Sequence, residues 1–209
     1  VVRNIPDARM QMDFVGSNVL QEQFRVPREQ LIFMYQGGLA SGRRVEQMVR
    51  IFGRVRPHRH IVFMGYGPLE AMVRKATGAH PNIHFLPAVP QDKILKHTAS
   101  ADVGIVGVEN TCLSYFFSLP NKMFEYLLAG VPALVPDYPD MRQVVDSYGC
   151  GWVVPEGDES WQRVIESLTL ESVTLAKEQA RAASGSFSWQ NEEAGLFAAH
   201  RKAVKAAQG

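Results

Sequence analysis

The chain has 209 residues, 46% hydrophobic and 21% charged, enough for one buried core of ordinary globular make-up. Its 22 basic and 21 acidic side chains leave a net charge of +1, which argues against a nucleic-acid partner and, with this apolar content, against disorder. No run approaches the roughly 18 apolar residues of a membrane span, and Arg3, Asp7 and Arg9 break any leader-like start. Two cysteines, Cys112 and Cys150, have no metal spacing and fit a reduced, cytoplasmic setting.

In chain order, residues 1–17 read as an irregular lead-in and 18–25 as a short helix. Apolar runs rich in Val, Ile, Phe and Leu at 31–36, 60–64, 82–86, 102–108, 132–135 and 151–154 predict buried parallel strands. Amphipathic stretches at 43–55, 68–77, 90–99, 120–129 and 139–148 predict helices between them, followed by helices at 159–169, 172–185 and 189–207. This alternation predicts an α/β fold with a doubly wound parallel sheet of about six strands and extra C-terminal helices. In the usual 3-2-1-4-5-6 order the switch point lies between strands one and four, where ligands bind beyond the carboxyl ends. The loops there are 37–43 and 108–121.

Charge is uneven along the chain. Residues 1–60 hold ten Arg, no Lys and five acidic residues, for +5; the remainder is −4. On a helix from 43, Arg43, Arg50 and Arg54 share one stripe opposite Val45, Met48, Val49 and Phe52. The stripe reads as a solvated face, or as a surface for anionic lipid headgroups.

Gly37-Gly38-Leu39-Ala40-Ser41-Gly42-Arg43 follows the first strand and opens a helix. Glycines let backbone amides approach an anion, and a helix start adds a positive field; a plain βα turn is the alternative. P-loop spacing is absent. Gly65-Tyr66-Gly67-Pro68 lacks the third glycine of a dinucleotide fingerprint, since Glu70 stands there. In Ser118-Leu119-Pro120-Asn121-Lys122-Met123-Phe124-Glu125-Tyr126, Ser118 or Leu119 caps a helix and Lys122 lies near its start, against the dipole. Two cations, Arg43 and Lys122, at neighbouring helix starts predict a shared anionic ligand such as a pyrophosphate. Glu125, one turn on, suits a ribose diol; a surface Lys–Glu pair is the alternative. Loop 109–119 has no periodicity and carries Tyr115-Phe116-Phe117, read as packing or as a lid. His58-Arg59-His60 reads as a solvated turn. No Asp-x-Asp pair occurs, and no metal site is expected.

Residues 121–132, Asn-Lys-Met-Phe-Glu-Tyr-Leu-Leu-Ala-Gly-Val-Pro, resemble the donor-site helix of family-four retaining glycosyltransferases, which have the GT-B fold of two facing Rossmann-like domains. The resemblance runs from about Val2 to Trp189. Gly37–Arg43 resembles that family's first phosphate loop, and residues 65–68 and 85–89 its next two sheet-edge loops, the latter beside the base. The resemblance implies catalytic roles for Arg43, Lys122 and Glu125, and donor contacts from Gly37, Gly38, Gly67, Leu86, Glu109, Asn110, Ser118 and Asn121. Two positions depart from the pattern: Phe117 replaces the first of the family's paired glutamates, and Gly38 a second phosphate-binding Arg. Glu109 or Asn110 stands in for the missing sugar contact.

The expected organisation is a lead-in at 1–17, a nucleotide-sugar-binding Rossmann-like domain at 18–188 and a C-terminal helix at 189–209. One domain of two is here, so the expectation is a donor-binding half that needs an N-terminal acceptor domain and is inactive alone. The implied function is sugar transfer from a nucleotide diphosphate sugar to a polysaccharide or glycolipid, without cofactor, in the cytoplasm, with a peripheral place at the inner membrane face. The alternatives are a nucleotide-sugar epimerase of the same fold and a non-enzymatic α/β nucleotide-binding module.

Overall fold

In the first strand every residue from Leu31 to Gln36 is buried, so both faces of the sheet must be covered. Period-two alternation sorts these side chains: Leu31, Phe33 and Tyr35 enter one core, Ile32 and Met34 the other. The computed structural model describes residues 17–187 and individual helical positions between Trp189 and Val204. The expected lead-in at 1–17 therefore lies almost wholly outside the described residues, and the expected helix at 189–207 largely so.

Six parallel strands, β1 (Leu31–Gly38), β2 (Arg59–Tyr66), β3 (Ile83–Pro87), β4 (Val103–Ile105), β5 (Ala133–Pro136) and β6 (Gly151–Val154), form one sheet in the order β3-β2-β1-β4-β5-β6. That is the expected doubly wound arrangement. Helices α2 (Val45–Phe52), α3 (Glu70–Ala79) and α8 (Asp158–Ser167) cover one face. Helices α6 (Asn121–Leu128), α7 (Pro139–Tyr148) and α9 (Leu170–Ser184) cover the other, with α1 (Val19–Phe24). The helix α4 (Gln91–Thr98) links β3 to β4 across the reversal of winding. Right-handed crossovers running both ways from β1 and β4 force this division of helices between faces. No described helix is long and apolar enough to cross a membrane.

Three local expectations are corrected. First, α2 begins at Val45, not at 43, because Gly42 (φ 77°) and Arg44 (φ 56°) are left-handed and close a turn ahead of the helix. The arginine stripe is divided accordingly: Arg43 stands in that turn, and Arg50 pairs with Asp158 of α8 at 3.2 Å. Second, 109–119 is not wholly irregular, since Leu113–Phe116 makes one helical turn, α5. Phe116 packs on Tyr138, 5.4 Å between centroids, while Phe117 stays 56% exposed. Third, only His58 of 58–60 stands in a turn; Arg59 and His60 open β2. His60 is buried with Nδ1 3.0 Å from Nε2 of His84 and Nε2 2.6 Å from Gln30 Oε1, and Arg59 donates to the carbonyls of Glu166 and Leu168 at the end of α8. A strand buried on both faces carries its first residues inward, whatever their polarity.

Candidate active site

The strands β1 and β4 are followed by helices on opposite faces, so a cleft opens beyond their carboxyl ends. It measures about 690 Å³ and is bounded by the ends of β1 and β2, the segment after β3 and the first turns of α6. Its floor depends on close backbone approach. Gly37 and Gly65 are register partners, and a Cβ on Gly65 would lie 1.9 Å from the Gly37 carbonyl oxygen. Gly67 (φ 151°) passes the Leu39 carbonyl with room for no side chain, 2.4 Å from an ideal Cβ. The Leu39 amide donates to the Tyr66 carbonyl at 2.9 Å and locks the two loops together.

Arg43 lines the cleft from the turn before α2, with its guanidinium carbon 5.7 Å from the Tyr115 ring centroid. It does not occupy the first helical turn, so the expected opposition to the helix dipole is not what sets its energy. Its neighbour Arg44 fixes the turn. Arg44 donates to the Val108 carbonyl (2.8 Å), Gln47 Oε1 (2.9 Å), the Tyr138 hydroxyl (3.1 Å) and Glu156 Oε1. Its own amide lies 3.3 Å from Glu109 Oε1.

Lys122 enters from the start of α6, and its expected cap is corrected. Pro120 occupies the N-cap position with no side-chain cap bond, and the Ser118 hydroxyl instead donates to the Tyr115 carbonyl at 2.8 Å. Lys122 is buried, and its Nζ has no hydrogen-bond partner among the described residues. Nζ rests 4.5 Å from the Tyr35 ring centroid. Burial first, then the Arg43 charge, lowers the amine pKa to about 8, against the pull of Glu125.

Glu125 stands one turn further, half-buried and facing the same cleft. Burial raises its pKa; a hydrogen bond from Gln36 and the charge of Lys122 oppose the rise. Gln36 Nε2 donates to Glu125 Oε2, and Thr98 Oγ1 lies 2.7 Å from Gln36 Oε1. Sequence pattern alone singles out neither Gln36 nor Thr98. The available signal was Gln36 as the one amide in an otherwise apolar buried strand.

The structure thus gathers Gly37, Gly38, Arg43 and Gly67 with Asn121, Lys122 and Glu125 around one cavity. Four other expected residues do not line it. Leu86 alternates into the core, Glu109 is engaged by the Arg44 amide, Ser118 closes the turn after α5, and Asn110 is exposed. The remaining wall is apolar, from Met64, Pro68, Ala88, Val89 and Ile94, with Tyr66 72% exposed at its edge. Two cations and a carboxylate within an otherwise largely apolar lining suit a ligand with an anionic part and a flat part.

The family model described as "Glycosyl transferases group 1" matches residues 30–169, which spans β1 to β6 and α8. The chain belongs to this glycosyltransferase family. It is 27% identical over 136 residues to "Glucosyltransferase 3" of Streptococcus gordonii, covering 62% of this chain and 40% of that protein. It is 22% identical over 98 residues to the amylovoran biosynthesis glycosyltransferase AmsK of Erwinia amylovora, covering 46% of this chain and 24% of that protein. Among solved structures it superposes on Anabaena HepE in complex with UDP-glucose with TM-score 0.75 at 14% identity, covering 97% of this chain and 57% of HepE. It superposes on WaaG, a glycosyltransferase involved in lipopolysaccharide biosynthesis, with TM-score 0.66 at 15% identity, covering 90% and 52%. These last two likenesses establish the Rossmann-like fold of this glycosyltransferase domain. The chain spans less than half the length of the curated relatives it matches. The family assignment favours a transferase over an epimerase or a bare binding module.

Proposed function

We propose that this domain binds the nucleotide diphosphate sugar donor of a retaining, family-four glycosyltransferase. The single observation that carries the reading is Lys122: a buried amine without a hydrogen-bond partner among the described residues, beside a second cation at Arg43, in a cleft at the sheet switch point. A diphosphate there supplies a hydrogen-bond acceptor for the Lys122 amine and negative charge for both cations. Glu125 accepts hydrogen bonds from the ribose diol, and the apolar wall holds the base. In the transfer, the bond from the sugar's anomeric carbon to the diphosphate oxygen breaks, and the diphosphate leaves with the electron pair. A bond to an acceptor hydroxyl oxygen forms, and that hydroxyl passes its proton to an oxygen of the departing diphosphate. Arg43 and Lys122 stabilise the charge that develops on the leaving group.

Domain limits at 18–188, an acceptor domain facing this one, and a polysaccharide or glycolipid acceptor belong to the same proposal. The relatives' greater length and the names of AmsK and WaaG support them. On this reading the 209-residue chain turns over no donor by itself. A peripheral place on an anionic membrane rests on the arginine excess of residues 1–60, and flotation with anionic vesicles tests it.

The decisive experiment is calorimetry with UDP, GDP and ADP and their glucose conjugates. At least one diphosphate is expected to bind, and Glu125→Ala is expected to weaken it by about 1.5–3 kcal/mol, or roughly 10- to 150-fold, without unfolding the domain. Absence of nucleotide binding across the panel, or an unchanged affinity in Lys122→Met, overturns the reading. Transfer with inversion at the anomeric carbon by the complete enzyme removes the retaining part.

A further inference from the structure

Glu125 carries two carboxylate oxygens, and the fold commits only one. Oε2 accepts from Gln36 Nε2, whereas Oε1 accepts no hydrogen bond among the described residues. An ionised carboxylate has no proton to give, so Gln36 must present its NH₂ to Glu125. Its Oε1 then faces Thr98, and the Thr98 hydroxyl must spend its one proton there, at 2.7 Å, although the Ile94 carbonyl also lies within reach at 2.9 Å. Thr98 is fully buried at the end of α4 and Gln36 is 3% exposed, so water does not take over these roles. The Gln36 amide N–H donates to the Tyr126 hydroxyl at 3.2 Å, which pins the residue from its backbone side. Both hydrogen bonds in the row Thr98–Gln36–Glu125 therefore run toward the carboxylate.

We propose that Gln36, oriented by Thr98, is a positioning residue that holds the Glu125 carboxylate with its free oxygen turned into the cleft. This rests on the reading of Glu125 as the ribose acceptor. Gln36 acts through Glu125, and its geometry decides how well a diol is told from a nucleotide that lacks one. The hydrogen bond from Gln36 also opposes the rise in the Glu125 pKa that burial causes, so it favours the ionised form that can only accept.

The test compares UDP with 2′,3′-dideoxy-UDP by calorimetry on the full chain, as wild type, Gln36→Leu and Thr98→Val. Wild type is expected to prefer UDP about tenfold or more, the scale of a hydrogen bond to a charged group. Gln36→Leu is expected to bring that preference below about threefold while holding dideoxy-UDP affinity within about twofold, since the diphosphate contacts are untouched. Thr98→Val is expected to fall between. A purely structural role would weaken both nucleotides alike. If wild type discriminates and Gln36→Leu discriminates equally, the proposal falls and the Glu125 reading stands. If wild type shows no preference, the Glu125 reading falls and takes the proposal with it. If Gln36→Leu loses both ligands, Thr98→Val decides: a selective loss of UDP supports the proposal, and an even loss or no change overturns it.

Discussion

Arg44 and Lys122 are both buried cations close to one cleft, yet they are treated in opposite ways. Arg44 places its guanidinium on acceptors from the exit of β4, from α2, from Tyr138 and from Glu156, and its charge serves the fold. Lys122 reaches no acceptor at all among the described residues and lies over the Tyr35 ring. Burying a charge is costly unless it is paired and hydrogen-bonded. On the proposed reading, the cation left without a hydrogen-bond partner is the one that meets the ligand. The lesson is that burial alone does not mark a functional cation; burial without a partner does.

The largest effect should come from breaking the satisfied member. Arg44→Ala removes the buried hydrogen bonds to Val108, Gln47 and Tyr138 while keeping the left-handed Cβ, so urea unfolding should show a loss of about 3 kcal/mol. Arg44→Gly should recover about 1 kcal/mol of that, because glycine adopts this conformation freely. Equal stability of Arg44→Ala and wild type would abolish the contrast with Lys122.

Lys122→Met should do the reverse. Stability should hold or rise by about 1 kcal/mol, while UDP affinity falls about tenfold or more. The pH dependence has a definite sign. The folded amine releases its proton near pH 8, the unfolded one at its ordinary value near 10.5, so between these the unfolded chain holds more protons. Wild-type stability relative to the Met variant should therefore rise from pH 8 to 10.5, and UDP binding should take up protons just above pH 8. A flat difference curve across that window would mean Lys122 is paired after all.

A smaller effect lies at the opposite edge of the sheet. Burial, and then His60, lowers the His84 pKa to about 4, and burial lowers that of His60. Both folded rings therefore take a proton less readily than free histidine. The unfolded histidines take protons first, so stability is complete above about pH 6.5 and falls as pH drops toward 4. His84→Leu should flatten the limb between pH 6.5 and 5 in urea titrations. A limb that persists unchanged would place its origin elsewhere.

The smallest effect is expected at Gly38, where a Cβ meets no atom within 4 Å. Gly38→Ala should change stability by less than about 0.5 kcal/mol, so any loss of UDP affinity reports the ligand's approach to that backbone. Gly65→Ala, with its Cβ 1.9 Å from a carbonyl oxygen, supplies the damaging control.

By itself the sequence determined the six strands, their parallel order and the ends at which a ligand would bind. Those features follow from local periodicity, glycine placement and the handedness of crossovers, all readable along the chain. It also brought Arg43, Lys122 and Glu125 into view, because each stands a few residues from a strand or helix end. Only the tertiary structure decided which polar groups are satisfied. Gln36 meets Thr98 across 62 residues and Glu125 across 89, Arg44 meets Glu156 across 112, and His60 meets His84 across 24. No periodicity encodes such pairs. A polar side chain in a buried strand is read from sequence as an exception, and its partner is set by whichever helix end or strand the packed sheet brings within about 3 Å of it.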